Sequence, residues 1–98
     1  MLRNIQVNGV QFRVADEGLG PVILFVHGFP LNHSMWQAQI EEFSRTHRVI
    51  APDLRGFGGT DGALYSVSME QFADDLAELL DALAVEGPVI FCGLSMGG

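Results

Sequence analysis

Three short apolar runs, Pro21 to Val26, Arg48 to Ala51 and Pro88 to Cys92, constrain this chain more than any other feature. Each is rich in Val, Ile or Phe, and none alternates with polar residues. That is the pattern of parallel strands covered on both faces. Between the second and third runs, Met69, Phe72, Ala73, Leu76, Leu79, Leu80 and Leu83 fall on one stripe at helical spacing, with acids opposite. The stripe predicts a helix over residues 69–84, opened by a capping box of Ser68 with Gln71 and ended by Gly87-Pro88. A shorter helix is expected between the first two runs, from a second box of Ser34 with Gln37, anchored in the core by Trp36, Ile40 and Phe43. Ahead of the first run, Ile5, Val7, Val10, Phe12 and Val14 alternate loosely around Asn8-Gly9, a strong hairpin signal. Hairpin, strand, helix, strand, helix, strand is the order of an α/β sheet with right-handed crossovers.

Ninety-eight residues make one domain or a piece of one, and 48% hydrophobic residues with 17% charged describe a globular core rather than a disordered tail. The formal charge of -7, from 12 acids against five arginines, argues against nucleic acid or an anionic membrane as partner. Six of the acids, Glu70, Asp74, Asp75, Glu78, Asp81 and Glu86, crowd the longer helix and its end and are read as its solvated face. The lone Cys92 stands in an apolar run where buried free cysteines usually sit, which suits a reducing compartment. No segment has signal-peptide character or the ~18 apolar residues of a membrane span. A soluble, cytoplasmic protein is expected, its oligomeric state unread.

Each apolar run is followed by an unusual cluster: His27-Gly28-Phe29-Pro30, then Pro52-Asp53-Leu54-Arg55-Gly56-Phe57-Gly58-Gly59-Thr60-Asp61, then Gly93-Leu94-Ser95-Met96-Gly97-Gly98. In open parallel sheets the C-terminal edge of the strands is where ligands bind. The last cluster fits G-x-S-x-G, a strand-to-helix turn that projects a serine hydroxyl above the sheet; Gly93 and Gly97 stand where side chains would collide. Ser95 is thus the candidate nucleophile. Attack on a carbonyl also needs fixed donors for the oxyanion. One is the backbone NH of Met96, and the second belongs to a loop after an earlier strand, the place of His27-Gly28-Phe29-Pro30. Asp53 and Arg55 read as a turn held by a charge-assisted hydrogen bond. A dinucleotide fingerprint from Gly56-x-Gly58 fails, because Asp61 takes the place of its third glycine.

These residues resemble the α/β-hydrolase superfamily, in the branch with an HGxP oxyanion loop and a DxRGxGxS-like turn, with Thr60 where serine is common. The resemblance covers essentially the whole chain. It implies that residues 1–98 are the N-terminal part of a single α/β-hydrolase domain: an antiparallel hairpin leading into parallel strands with crossover helices, truncated at the nucleophile elbow. Haloalkane dehalogenases and epoxide hydrolases of this branch place an aspartate at the elbow, so Ser95 points away from both. The remaining relatives resemble esterases, 3-oxoadipate enol-lactonases, carbon-carbon bond hydrolases and cofactor-free haloperoxidases acting as perhydrolases.

The resemblance further implies a serine hydrolase of a small-molecule ester, lactone or related carbonyl substrate. Ser95 attacks, the NH groups of Phe29 and Met96 hold the oxyanion, and His27, Gly28, Gly93 and Gly97 support them. The triad acid and histidine would follow residue 98, since the family order is Ser, Asp or Glu, His. None of His27, His33 and His47 is then the general base: His27 holds the oxyanion loop, His33 is a candidate for the pocket rim and His47 is an ordinary surface or strand-end residue. Phe29-Pro30 is expected to be cis. No cofactor is implied, and no metal, because no cluster has ligand spacing. The rival from another class is a hydrolase-fold protein that binds without turnover.

Overall fold

The computed structural model describes residues 2–28, 32–54, 60 and 69–93. Strands β1 (Leu2–Val7) and β2 (Val10–Glu17) form the expected hairpin, with Val7 opposite Val10. Asn8 at φ 48° and Gly9 at φ 77° both take the left-handed conformation, as a two-residue turn matched to the strand twist requires. The three apolar runs become β3 (Val22–Val26), β4 (Arg48–Pro52) and β5 (Val89–Gly93), each within a residue of its expected place.

The sheet order is β1-β2-β4-β3-β5. β4 runs antiparallel to β2 and parallel to β3, and β5 runs parallel to β3 on the other side. After β3 the chain therefore moves one way to β4, then returns past β3 to reach β5. A 3₁₀ turn (His33–Trp36) leads into α1 (Gln37–Phe43) in the first crossover, and α2 (Met69–Ala82) lies in the second.

The pleat divides the strands between two cores. Leu24, Val26 and Ile50 join Phe12, Val14, Phe72, Leu79 and Leu83 on the α2 face. Ile23, Phe25, Val49 and Ala51 join Ala15, Trp36 and Ile40 on the α1 face, where the Phe25 and Trp36 rings are 4.9 Å apart. Successive residues of one strand pointing to opposite covered faces explain why these runs carry no polar alternation.

Four expectations need correction. The cap of the 3₁₀ turn is Asn32, whose Oδ1 accepts from the Ser34 NH at 2.9 Å, so the first helical segment starts one residue ahead of the Ser34 box. Asp75 is fully buried, unlike the other acids of its helix. Its Oδ1 accepts from Asn8 Nδ2 at 3.1 Å and Gln71 Nε2 at 2.9 Å, tying α2 to the hairpin tip. β5 is not covered on both faces: Ile90 and Phe91 remain 54% and 52% exposed at the edge of the described sheet. Cys92 on that strand is a free thiol, half-buried rather than buried. Ser68, the cap residue expected for α2, lies outside the described residues.

Candidate active site

β3, β4 and β5 run the same way, so the residues after each emerge at one edge. Gly93, two residues before Ser95, pairs with Val26, one residue before His27. β4 flanks β3 on its other side, with Ile50 paired to Leu24. The edge after β3 is also where the chain's direction of travel across the sheet reverses, the topological switch point at which open α/β sheets form their crevice.

His27 is fully buried there. The Leu54 NH donates to its Nε2 at 2.9 Å, which leaves the ring proton on Nδ1 to be donated to the Gly28 carbonyl at 3.0 Å. This is a neutral imidazole with both nitrogens bonded to backbone. Burial, the strongest influence, pushes its pKa below the ordinary 6.5; the Gly28 bond and the Asp53 charge oppose the shift, and His33 adds to it. A ring whose acceptor nitrogen is already engaged is not placed to collect a substrate proton.

Asp53, 1% exposed, is the second fixed point. Its Oδ1 accepts from the His33 backbone NH and from His33 Nδ1, both at 2.6 Å. Its NH donates to the Arg13 carbonyl at 2.8 Å, and its carbonyl accepts from Thr60 Oγ1 at 2.6 Å, while that hydroxyl accepts from the Arg13 NH at 2.9 Å. Thr60 thereby bridges β2 and the turn after β4 with a single oxygen, which any hydroxyl residue at this position can do. The structural reading of Asp53 agrees with these contacts. His33 differs from a simple rim residue, because its ring is held by Asp53. His47 is half-exposed, with Nδ1 2.7 Å from Thr46 Oγ1 and its ring edge on Phe43.

His27, Gly28 and Gly93 are thus brought together at one edge with Asp53 and Leu54. Phe29, Ser95, Met96 and Gly97, the Phe29-Pro30 bond, and Arg55 with the glycines after it lie outside the described residues. The part of Leu54 in holding His27 was missed in the sequence, since a backbone NH leaves no trace in residue type. Among the described residues no group of three His, Cys, Asp or Glu side chains could hold a metal ion. No described helix is long and apolar enough to cross a membrane.

Comparison with known proteins decides the family. The model of the alpha/beta hydrolase fold matches residues 21–98, most of the chain. The chain belongs to the α/β-hydrolase family. It is 44% identical over 85 residues to epoxide hydrolase 1 of Siraitia grosvenorii, covering 84% of this chain and 27% of that protein. It is 32% identical over 98 residues to 3-oxoadipate enol-lactonase 1 of Acinetobacter baylyi, covering 100% and 36%. The structure of a thermophilic esterase from Thermogutta terrifontis superposes with a TM-score of 0.89 at 42% identity, covering 99% of this chain and 37% of the esterase. The α/β-hydrolase segment described here therefore spans well under half the length of these relatives and corresponds to their N-terminal part. These relatives are an epoxide hydrolase, an enol-lactonase and an esterase, so the shared scaffold leaves the substrate open.

Proposed function

We propose that the complete protein is a serine hydrolase of a small-molecule carboxylic ester, lactone or related carbonyl compound, working through an acyl-enzyme on Ser95. The observation that carries this reading is the pairing of Gly93 with Val26, which sets the start of the G-x-S-x-G turn beside the buried His27-Gly28 corner. Ser95 attacks the carbonyl carbon, and the backbone NH groups of Phe29 and Met96 receive the oxyanion. A histidine and an acid from beyond residue 98 take the serine proton and return it to the leaving group. Water then releases the acyl group, or hydrogen peroxide does so in a perhydrolase. The same nucleophile serves a carbon-carbon bond hydrolase. Residues 1–98 form the first part of one catalytic domain that needs no cofactor. The lone Cys92 and the acidic charge suit a soluble cytoplasmic enzyme.

Epoxide hydrolysis is the second reading, favoured by the names of several relatives. Its chemistry argues for the serine route instead. A carboxylate that opens an epoxide forms an ester, which water can cleave at its carbonyl. A serine that opens an epoxide forms an ether, with no carbonyl to attack, and the enzyme stalls after one event.

The test is labelling of the complete protein with a fluorophosphonate probe, alone and as Ser95→Ala, together with turnover of p-nitrophenyl acetate and of an aryl epoxide. Labelling and esterase turnover that both vanish in Ser95→Ala are expected. Labelling that persists in that variant means another nucleophile, epoxide turnover by the wild type favours the second reading, and a protein that binds ligands but never labels belongs to the non-catalytic class.

A further inference from the structure

The segment from His27 to His33 contains Phe29, assigned above to oxyanion donation, and its two ends are bonded to two consecutive residues, Leu54 and Asp53. At one end His27 Nε2 accepts from the Leu54 NH at 2.9 Å. At the other, the backbone NH and Nδ1 of His33 both donate to Asp53 Oδ1 at 2.6 Å. His27 and Asp53 are buried, and the His33 side chain is 17% exposed. Asp53 and Leu54 in turn continue directly from β4, held between β2 and β3, and Asp53 is fixed at its backbone by Arg13 and Thr60. The anchor is therefore rigid, and charge-assisted bonds to a buried carboxylate are stronger than neutral ones.

From this geometry we infer that His33 is a positioning residue for catalysis: its ring Nδ1–H, clamped on Asp53, fixes the far end of the segment that carries the Phe29 oxyanion donor. The inference rests on the serine hydrolase reading above. The ring acts through Nδ1, by way of Asp53. Its backbone NH bond to Asp53 survives any substitution of the side chain, so the ring supplies only the second bond. Losing that bond loosens the segment without releasing it. An oxyanion donor acts in the transition state far more than in the ground state, so a displaced donor lowers kcat and leaves KM nearly unchanged.

An asparagine amide nitrogen stands the same number of bonds from Cα as histidine Nδ1 and can donate to Asp53, whereas the glutamine amide reaches one bond further, toward the place of Nε2. The experiment compares His33→Ala, His33→Asn and His33→Gln in the complete protein, with kcat and KM for an ester substrate, fluorophosphonate labelling of Ser95 and thermal melting. His33→Ala is expected to lower kcat by about tenfold to a hundredfold, with KM within about twofold of wild type. His33→Asn is expected to recover most of the loss and His33→Gln less. Unchanged kcat in His33→Ala overturns the inference, as does a His33→Asn variant no better than His33→Ala or inferior to His33→Gln, which would assign the work to Nε2. If His33→Ala does not fold, the order of the asparagine and glutamine variants decides. Absence of Ser95 labelling in the wild type strikes the serine hydrolase reading instead, so the two failures are distinct.

Discussion

Replacing His27 by asparagine separates the two bonds of the buried imidazole. The asparagine amide nitrogen stands at the place of Nδ1 and keeps the bond to the Gly28 carbonyl, but nothing replaces Nε2 as acceptor for the Leu54 NH. An unpaired buried NH costs about 1–3 kcal/mol, and the space left by the lost ring atoms adds about 1 kcal/mol. The expected loss is about 2–4 kcal/mol at pH 8, a fall in Tm of roughly 5–15 °C for a protein of the relatives' size. The difference should depend on pH with a definite sign. The folded protein holds His27 below its ordinary pKa of 6.5, so the unfolded chain binds the proton first. That contribution to wild-type stability is complete above pH 6.5 and is lost as the pH falls below it toward the folded value. His27→Asn has no such group, so wild type and variant should converge on acidification. Urea unfolding of both in the complete protein, at pH 8 and pH 5.5, measures this. A difference as large at pH 5.5 as at pH 8, or no difference at pH 8, would refute the neutral, backbone-bonded His27.

Gly18 and Gly87 have similar backbone, φ 85° and 81°, but a Cβ on Gly18 would collide with the His47 and Ser44 carbonyl oxygens whereas one on Gly87 meets open space. Gly18→Ala should therefore cost more than about 3 kcal/mol and Gly87→Ala about 1 kcal/mol, read by denaturant midpoints; equal costs would show that φ alone matters. Asp75→Ala should destabilise by about 2–3 kcal/mol through loss of the bonds that the buried carboxylate accepts from Asn8 and Gln71, while exposed Asp74→Ala stays within about 0.5 kcal/mol; equal effects would contradict the buried contact. The 1–98 polypeptide alone should be inactive on p-nitrophenyl acetate and should self-associate through the apolar edge of β5, with Phe91→Lys reducing association in sedimentation. A monomeric, cooperatively folded and active 1–98 chain would refute this.

β3 and β4 were legible because their residues face two covered cores, and that leaves an apolar run visible in the sequence. The hairpin was legible because few residues besides asparagine and glycine accept φ above zero without strain. Asp75 was misread by chemistry although its position was readable: it lies three residues after Phe72 and four before Leu79, both on the buried stripe. A carboxylate there needs partners, and one of them, Asn8, is 67 residues away. The Asn32 cap was missed because Ser34 with Gln37 fits the capping-box pattern, whereas three residues after Asn32 stands Met35, which cannot complete a box. The exposure of β5 was hidden because a run of apolar residues states what a strand can bury, not what is present to cover it. At the site, the motifs located His27, Gly28 and Gly93, while the His33–Asp53 clamp joins two loops that only the parallel pairing of β3 and β4 brings together.

Because β4 lies between β2 and β3 at the middle of the described sheet, its loss would split that sheet into two paired remnants, the hairpin on one side and β3 with β5 on the other. The anchors of the site, Asp53 and Leu54, continue directly from it. Fraying at β1 or β5, the outer strands of the described sheet, leaves this attachment intact, whereas any opening that releases β4 dissolves the sheet and the anchors in one event. In hydrogen-exchange terms, the amides of Asp53 and Leu54 should trade their protons by the same slow, global route as the middle of β4, despite standing at the head of a loop. Fraying at the sheet's outer strands is thereby uncoupled from the bonds that hold His27 and His33.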